Sequence, residues 1–362
     1  MMERKKKTMK QMMKRLAALL MAMMMLVGGA LAEAAQETPA VEEAQTVETA
    51  ETAETAEDSG AFQPLYEVPG APALTAEGFL PEGGEEEYYL LFDTENGEWA
   101  YIDHEMFIHI KRFNGVVERE RTLIWYETEV KVKPGIKFVT QHANPEAIGR
   151  RYMWAQDLAT QLNSILAFSD DFYGFRVYAK RTPGIIIQDG VILADKGLKQ
   201  PHWTLPNYDV MALFADGSMK TYLAGTIDAE TLLAQGATDA WTFGPLLLSE
   251  SQIGEQVLDK QFEYINPRMT LGMIEPNHYF IMTVEGRHKN SDGVGLIWVA
   301  EQMRDRGCTE ALNLDGGNSI KLVFMGQILN SQRHYNEKND RTVTSLITLG
   351  TFPLDTLNLG DE

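Results

Sequence analysis

Residues 296–324 read LIWVAEQMRDRGCTEALNLDGGNSIKLVF. Leu296, Val299, Ala300 and Met303 share one face at helical spacing, so a helix with one buried stripe is expected. Asp292 is a candidate N-cap and Gly307 a candidate left-handed residue just past the C-terminus. The strand ALNL follows, then the turn DGGNS, then the apolar strand IKLVF. Upstream, MTLGMI and YFIMTVEGR read as paired strands around EPNH. GIIIQDGVILAD is two apolar runs joined by Asp-Gly, and DVMALFADGSMKTYLAG repeats that pattern around Asp216-Gly217. DAETLLAQG reads as a short helix ending at Gly236, and residues 151–168 as a core-facing helix. MFIHIKRF and TLIWYETEVKVK alternate like strands with one wet face. Hairpins dominate and helices are interspersed irregularly. The expected class is α+β, with mixed or antiparallel sheets rich in hairpins, and not a regular βαβ array.

The 362 residues carry a formal net charge of −20. The first residues oppose this, with Arg4, Lys5, Lys6, Lys7, Lys10, Lys14 and Arg15 against Glu3. An uncharged apolar run then ends at Ala30-Leu31-Ala32, the pattern of an export signal or, uncleaved, of an N-terminal anchor over residues 1–32. Residues 33–60 repeat ETA without a positive charge or an aromatic ring and read as a disordered acidic linker. Residues 61–98 read as an N-terminal extension of the body, 99–352 as the main domain and 353–362 as a tail. A secreted or cell-surface location follows from the leader. The acidic balance argues against nucleic acid as a partner, and it leaves the membrane a role only through an uncleaved leader. The single Cys308 rules out a disulfide framework and a cysteine-rich zinc site, and reads as a small core residue.

The segment Asp315-Gly316-Gly317-Asn318-Ser319 has the residue types of a binding turn. Glycines allow close backbone approach, successive amides can form an anion nest, and an aspartate at a strand end is held rigidly. The bland reading is a tight hairpin turn in which Asp and Asn satisfy their own backbone. Arg287 closes FIMTVEGR beside Glu285, and Arg268 sits in INPRMTLG. Arginine suits a planar grip on phosphate or carboxylate. If ALNL lies next to FIMTV, Glu285, Arg287 and Asp315 converge at neighbouring strand ends. None of the seven histidines has HExxH spacing; His288 follows Arg287, and His109 alternates onto a wet face. No Walker or dinucleotide motif is present. The residues point to no cofactor, with a hard cation such as calcium near the acidic loops left open.

The ordered run INPRMTLGM, VEGR, SDGVGLIWVAEQMRDRGCTEALNLDGGNS resembles the phosphodiester glycosidase family, with GIIIQDGVI and FGPLLLS as further landmarks, over roughly residues 99–350. The resemblance implies hydrolysis of a sugar-1-phosphodiester at the C1–O bond, with a carbohydrate or sugar-phosphate polymer as partner. It assigns Asn266, Arg268, Arg287, Gly316, Gly317, Asn318 and Ser319 to substrate binding. Asp315 becomes a carboxylate catalyst or sugar ligand, with Glu285 and Asp170 or Asp171 as second carboxyl groups. Three positions depart from the family pattern. Asn318 stands for the third glycine of the turn, Glu285 for the aspartate of D-G-R, and AFSDDFYG for an Asn-Gly pair. These departures motivate the alternative of a non-catalytic glycan-binding or exopolysaccharide-assembly protein on the same fold.

Overall fold

The structure, a computed structural model, describes residues 61–117, 120–146, 151–170, 184–196, 208–259, 262–331 and 341–352. The leader, the acidic linker, Asp171 and the C-terminal tail lie outside these residues.

In chain order the strands begin with β1 (Tyr88–Asp93), β2 (Glu98–Asp103), β3 (Met106–Val117), β4 (Arg121–Val132), β5 (Val139–His142) and β6 (Ser164–Phe168). Then come β7 (Gly184–Gln188), β8 (Val191–Lys196), β9 (Asp209–Phe214), β10 (Met219–Tyr222), β11 (Ala237–Phe243), β12 (Leu246–Ser249) and β13 (Gln252–Ile253). The last six are β14 (Arg268–Glu275), β15 (His278–Val284), β16 (Glu310–Leu314), β17 (Leu322–Phe324), β18 (Gln327–Ile328) and β19 (Ser345–Thr351) in the same sequence, with β17 and β18 forming a short hairpin. Among the described residues three short α-helices are interspersed: α1 (Ala155–Gln161), α2 (Ala229–Ala234) and α3 (Leu296–Asp305).

Nine strands form one sheet in the order β1-β2-β3-β4-β15-β14-β16-β12-β13. Two five-stranded sheets run β10-β9-β11-β7-β8 and β18-β17-β6-β19-β5. Every described strand pair is antiparallel, so the mixed sheet allowed by the sequence gives way to antiparallel sheets with few helices. A continuous apolar core joins all three sheets: Ile108, Val130, Leu271 and Ile281 meet Leu322 and Ile347 of one small sheet and Met211 and Trp241 of the other.

Local chemistry explains much of this. At the β7–β8 turn Asp189 and Gly190 both have positive φ, 47° and 72°, as a two-residue hairpin loop requires. Gly217 has φ 82°, and a Cβ there would lie 2.0 Å from Oδ1 of Asn277, so glycine lets two hairpin loops dock. Asp228 caps α2 by accepting the Thr231 amide at 2.7 Å. Helix α3 buries the expected stripe Leu296, Val299, Ala300 and Met303 against the outer face of the large sheet, and Gly307 follows it at φ 84°. Its N-cap is Gly295 and not Asp292. Cys308 is buried, and that burial pushes its thiol pKa up. Among the described residues no helix is long and apolar enough to cross a membrane.

Two further expectations are corrected. The helix anticipated over 151–168 stops at Gln161, because Asn163 turns left-handed at φ 51° and SILAF continues as the buried strand β6. A short apolar run has no period that separates helix from strand. The wet faces assigned to β3 and β4 are covered. Residues 61–80 lie across them, with Phe62 against Phe107 and Tyr66 against His109 at ring distances of 5.2 and 6.5 Å. His109 is therefore buried, along with Glu98, Glu127 and Glu129. Their charges are matched. Glu127 accepts two bonds from Arg306 at 2.8 and 2.9 Å and the Tyr66 hydroxyl at 2.6 Å. Glu129 accepts the Leu65 amide and faces His278, both at 2.8 Å.

Candidate active site

Strand β14 runs antiparallel to both its neighbours. Its first residues therefore sit beside the last residues of β15 and β16: Arg268 opposite Val284, and Met269 opposite Leu314. The adjacency of ALNL and FIMTV that would bring Glu285, Arg287 and Asp315 together is not found. The strand that carries Arg268 lies between them. The chain leaves β15 through Glu285-Gly286-Arg287 and leaves β16 through Asp315–Ser319, so both segments emerge on one rim.

The DGGNS turn is not a hairpin. Strand β16 belongs to the large sheet and β17 to a small one, and a 3-10 turn over Gly317–Ser319 carries the chain across. A Cβ on Gly316 would lie 2.6 Å from the Pro267 carbonyl, and the Gly317 amide donates to that carbonyl at 3.0 Å. The glycines thus serve close approach to Asn266-Pro267-Arg268. The expected anion nest does not form from the amides of Gly317 and Ser319, since both donate within the protein.

Arg287 holds φ 60°, a left-handed conformation that a non-glycine residue adopts only where its surroundings enforce it. Its two terminal nitrogens donate to Asn318 Oδ1 at 2.9 Å and Asn266 Oδ1 at 2.7 Å. Arg268 donates to the Val294 and Tyr264 carbonyls at 3.1 and 2.6 Å. Burial first and the Arg287 charge second push the Arg268 pKa down to about 10. Arg287 is pulled down by burial and by Arg341, and Asp315 opposes that shift. Arg341 itself reaches Ser319 Oγ at 3.5 Å. Arg268 and Arg287 remain charged near neutral pH. They repel one another, so the field at this rim favours an anion. Asp315 is half-buried.

Glu285 is not in this group. Its buried carboxylate turns toward β4, where it accepts the Tyr126 hydroxyl at 3.2 Å and the Ser331 amide at 2.6 Å and meets His288 Nε2 at 2.9 Å. These contacts assign the His288 proton to Nε2, leaving Nδ1 to accept the Asn290 amide at 3.4 Å. Burial and the nearby Glu285 charge push the Tyr126 pKa up, so its hydroxyl stays protonated. Its single proton is shared between Glu285 and the Leu329 carbonyl, which lies nearer at 2.8 Å. Tyr126, Glu285 and His288 line a cavity of about 500 Å³ together with Arg112, Asn114 and Lys289. Asp170, at the end of β6, is buried and accepts Ser345 Oγ at 3.0 Å.

The structure therefore gathers Asn266, Arg268, Arg287, Asp315, Gly316, Gly317, Asn318 and Ser319. It sets Glu285 in the wall of that cavity and Asp170 beneath the surface, while Asp171 lies outside the described residues. Sequence reasoning missed Arg341, Tyr126 and Lys321. Lys321 is fully buried, and its Nζ donates to the Asn318 carbonyl at 3.3 Å under the turn. A lysine inside the apolar run IKLVF was the available signal. Among the described residues no group of three or more His, Cys, Asp or Glu side chains gathers to hold a metal ion.

A family model described as phosphodiester glycosidase matches residues 163–349. The SPbeta prophage-derived uncharacterized protein YomE of Bacillus subtilis (strain 168) is 27% identical over 177 residues, which is 48% of this chain and 26% of that protein. The chain thus spans about a quarter of that relative's length. Among solved structures, zebrafish N-acetylglucosamine-1-phosphodiester alpha-N-acetylglucosaminidase, its catalytic domain auto-inhibited by pro-peptide, superposes with a TM-score of 0.55 at 17% identity, covering 68% of this chain and 84% of that one. That likeness is one of fold. With more than half of its length matched by the family model, this chain belongs to the phosphodiester glycosidase family.

Proposed function

We propose that the chain is an exported hydrolase that cleaves the C1–O bond of sugar-1-phosphodiesters in envelope or extracellular polysaccharide. The observation that carries this reading is the crowding of Arg268 and Arg287 beside half-buried Asp315, because a bound phosphodiester relieves the repulsion between the guanidinium groups. Water adds at C1 as the C1–O bond breaks. The electron pair leaves on the phosphate oxygen, giving the free sugar and a phosphate monoester. The arginines stabilise the charge that grows on the departing phosphate. Asp315 supports positive charge at C1 or takes the proton from water. The phosphate is a good leaving group without protonation, so a single accessible carboxylate suffices. The basic and apolar start of the chain supports export.

A second reading has its own observation. Both terminal nitrogens of Arg287 are engaged by Asn318 and Asn266, and Asn318 stands where the family turn has glycine. A protein that binds glycan without turnover would tolerate this arrangement. A sugar-1-phosphodiester with a chromogenic aglycone separates the two. Release by the wild type that is lost in Asp315→Asn supports the hydrolase. Binding without release by the wild type overturns it in favour of the binding protein.

A further inference from the structure

The cavity over Glu285 is lined by Arg112, Asn114, Lys289 and Asn290, with Glu285, His288 and Tyr126 among its walls. Its charge runs against that of the chain, which is −20 overall. The one carboxylate in the lining is committed, since Glu285 is buried and meets Tyr126, the Ser331 amide and His288. Arg112 donates to the Glu95 carbonyl at 3.2 Å and also hydrogen-bonds the Tyr126 oxygen, both neutral partners. Lys289 is exposed and has no carboxylate partner among the described residues. What the cavity offers a ligand is therefore two cations and two side-chain amides. The chain links it to the arginine cluster, since only Gly286 separates Glu285 from Arg287. The left-handed Arg287 turns the chain there, sending the arginine toward Asn318 and Asn266 while Glu285 faces Tyr126.

We propose that this cavity is a second anion subsite, which takes a further phosphate or carboxylate group of a polyanionic glycan whose phosphodiester lies at Arg268 and Arg287. The proposal rests on the hydrolase reading for the first subsite and narrows its substrate to a polymer with anionic groups on neighbouring residues. Two subsites of like sign also explain how so acidic a protein holds an acidic ligand. The overall field repels the polymer, and two local clusters must retain it.

The test is calorimetric binding to the full chain at low salt, with three probes. One is N-acetylglucosamine 1-phosphate esterified to a neutral hexose, a phosphodiester carrying one anionic group. The second adds a phosphate on the next sugar residue, and the third a uronate there. Wild type is expected to bind at least one two-anion probe about tenfold more tightly than the one-anion probe, the size of one charge-assisted contact. The charge reversal Lys289→Glu, at an exposed position, is expected to abolish that ratio, and Arg112→Gln to reduce it. Preference for the phosphate probe, the uronate probe or both supports the subsite and defines its anion. Equal affinity for all three, or a ratio that survives both substitutions, overturns it. Because the readout is an affinity ratio, the outcomes separate. A preserved ratio without turnover retires the hydrolase reading alone, and turnover without the ratio retires the second subsite alone.

Discussion

The large sheet carries charge in two places, and they are handled in opposite ways. On its outer face, under residues 61–80, Glu127 meets Arg306, Tyr66 and the Trp125 indole, Glu129 meets His278, and Glu98 meets Lys111. Each buried carboxylate has a cation or donor. On the rim, Arg268 and Arg287 direct their hydrogen bonds to neutral carbonyl and amide oxygens, and a neighbouring guanidinium lowers the basicity of each, Arg287 acting on Arg268 and Arg341 on Arg287. Opposite charges in contact hold a structure together, whereas like charges held together by neutral acceptors store a demand for a counter-ion. The first arrangement should matter to stability and the second to activity.

The largest effect expected is at the rim. Asp315→Asn should lower kcat by about a thousandfold, roughly 4 kcal/mol, with the unfolding midpoint held. Steady-state kinetics and a denaturant titration on the same sample check both halves. A loss of stability equal to the loss of rate would place Asp315 with the structural charges. Next comes the outer face. Glu127→Ala removes the partner of Arg306 and Tyr66 from a fully buried position, and should lower unfolding free energy by about 3 kcal/mol with little change in kcat per folded molecule. Arg287→Ala should then cost about a hundredfold in kcat/KM while leaving stability level or raised, since it relieves repulsion with Arg268. A drop in stability of several kcal/mol in that variant would break the contrast between the two regions.

The pH response sharpens the same contrast. Burial lowers the His109 pKa to about 4, although the neighbouring Glu98 opposes the shift. The folded value lies below the unfolded one, so the unfolded chain binds the extra proton between them. The stability His109 contributes is full above about pH 6.5 and is lost as pH falls from there through about 4. The loss should be on the order of 2 kcal/mol, and His109→Gln should flatten the stability–pH curve in that window. An unchanged curve would show that His109 gains its proton without unfolding.

The hairpins were legible because their signals are local. Asp189-Gly190 and Asp216-Gly217 carry the turn geometry in two residues. The helix stripe of α3 was equally plain. The covered faces of β3 and β4 were not, because the cover comes from residues 61–80, remote in sequence and without periodicity of their own. At the site, the residue types of Arg268, Arg287 and Asp315 were readable, but the strand that unites them was not. Nothing in the letters Glu-Gly-Arg announces that Arg287 turns left-handed and sends Glu285 elsewhere. Arg341 gave no signal, since it reaches Ser319 only through tertiary folding.

The smallest effect tests how that cover is held. Tyr66 donates to Glu127 Oε2 at 2.6 Å, and its own pKa rises to about 12, through burial first and Glu127 second. Tyr66→Phe keeps the ring against His109 and Phe113 and removes only the hydroxyl. Glu127 retains Arg306 and Trp125, so no buried charge is orphaned. The expected cost is about 1 kcal/mol, that of one hydrogen bond. Hydrogen exchange localises it. If the hydroxyl pins the cover, amides such as Leu65, which donates to Glu129, lose protection while those of β14 and β16 keep theirs. Uniform loss across both regions would mean that residues 61–80 unfold only with the body, and that the aromatic contacts and not the paired charges fasten them.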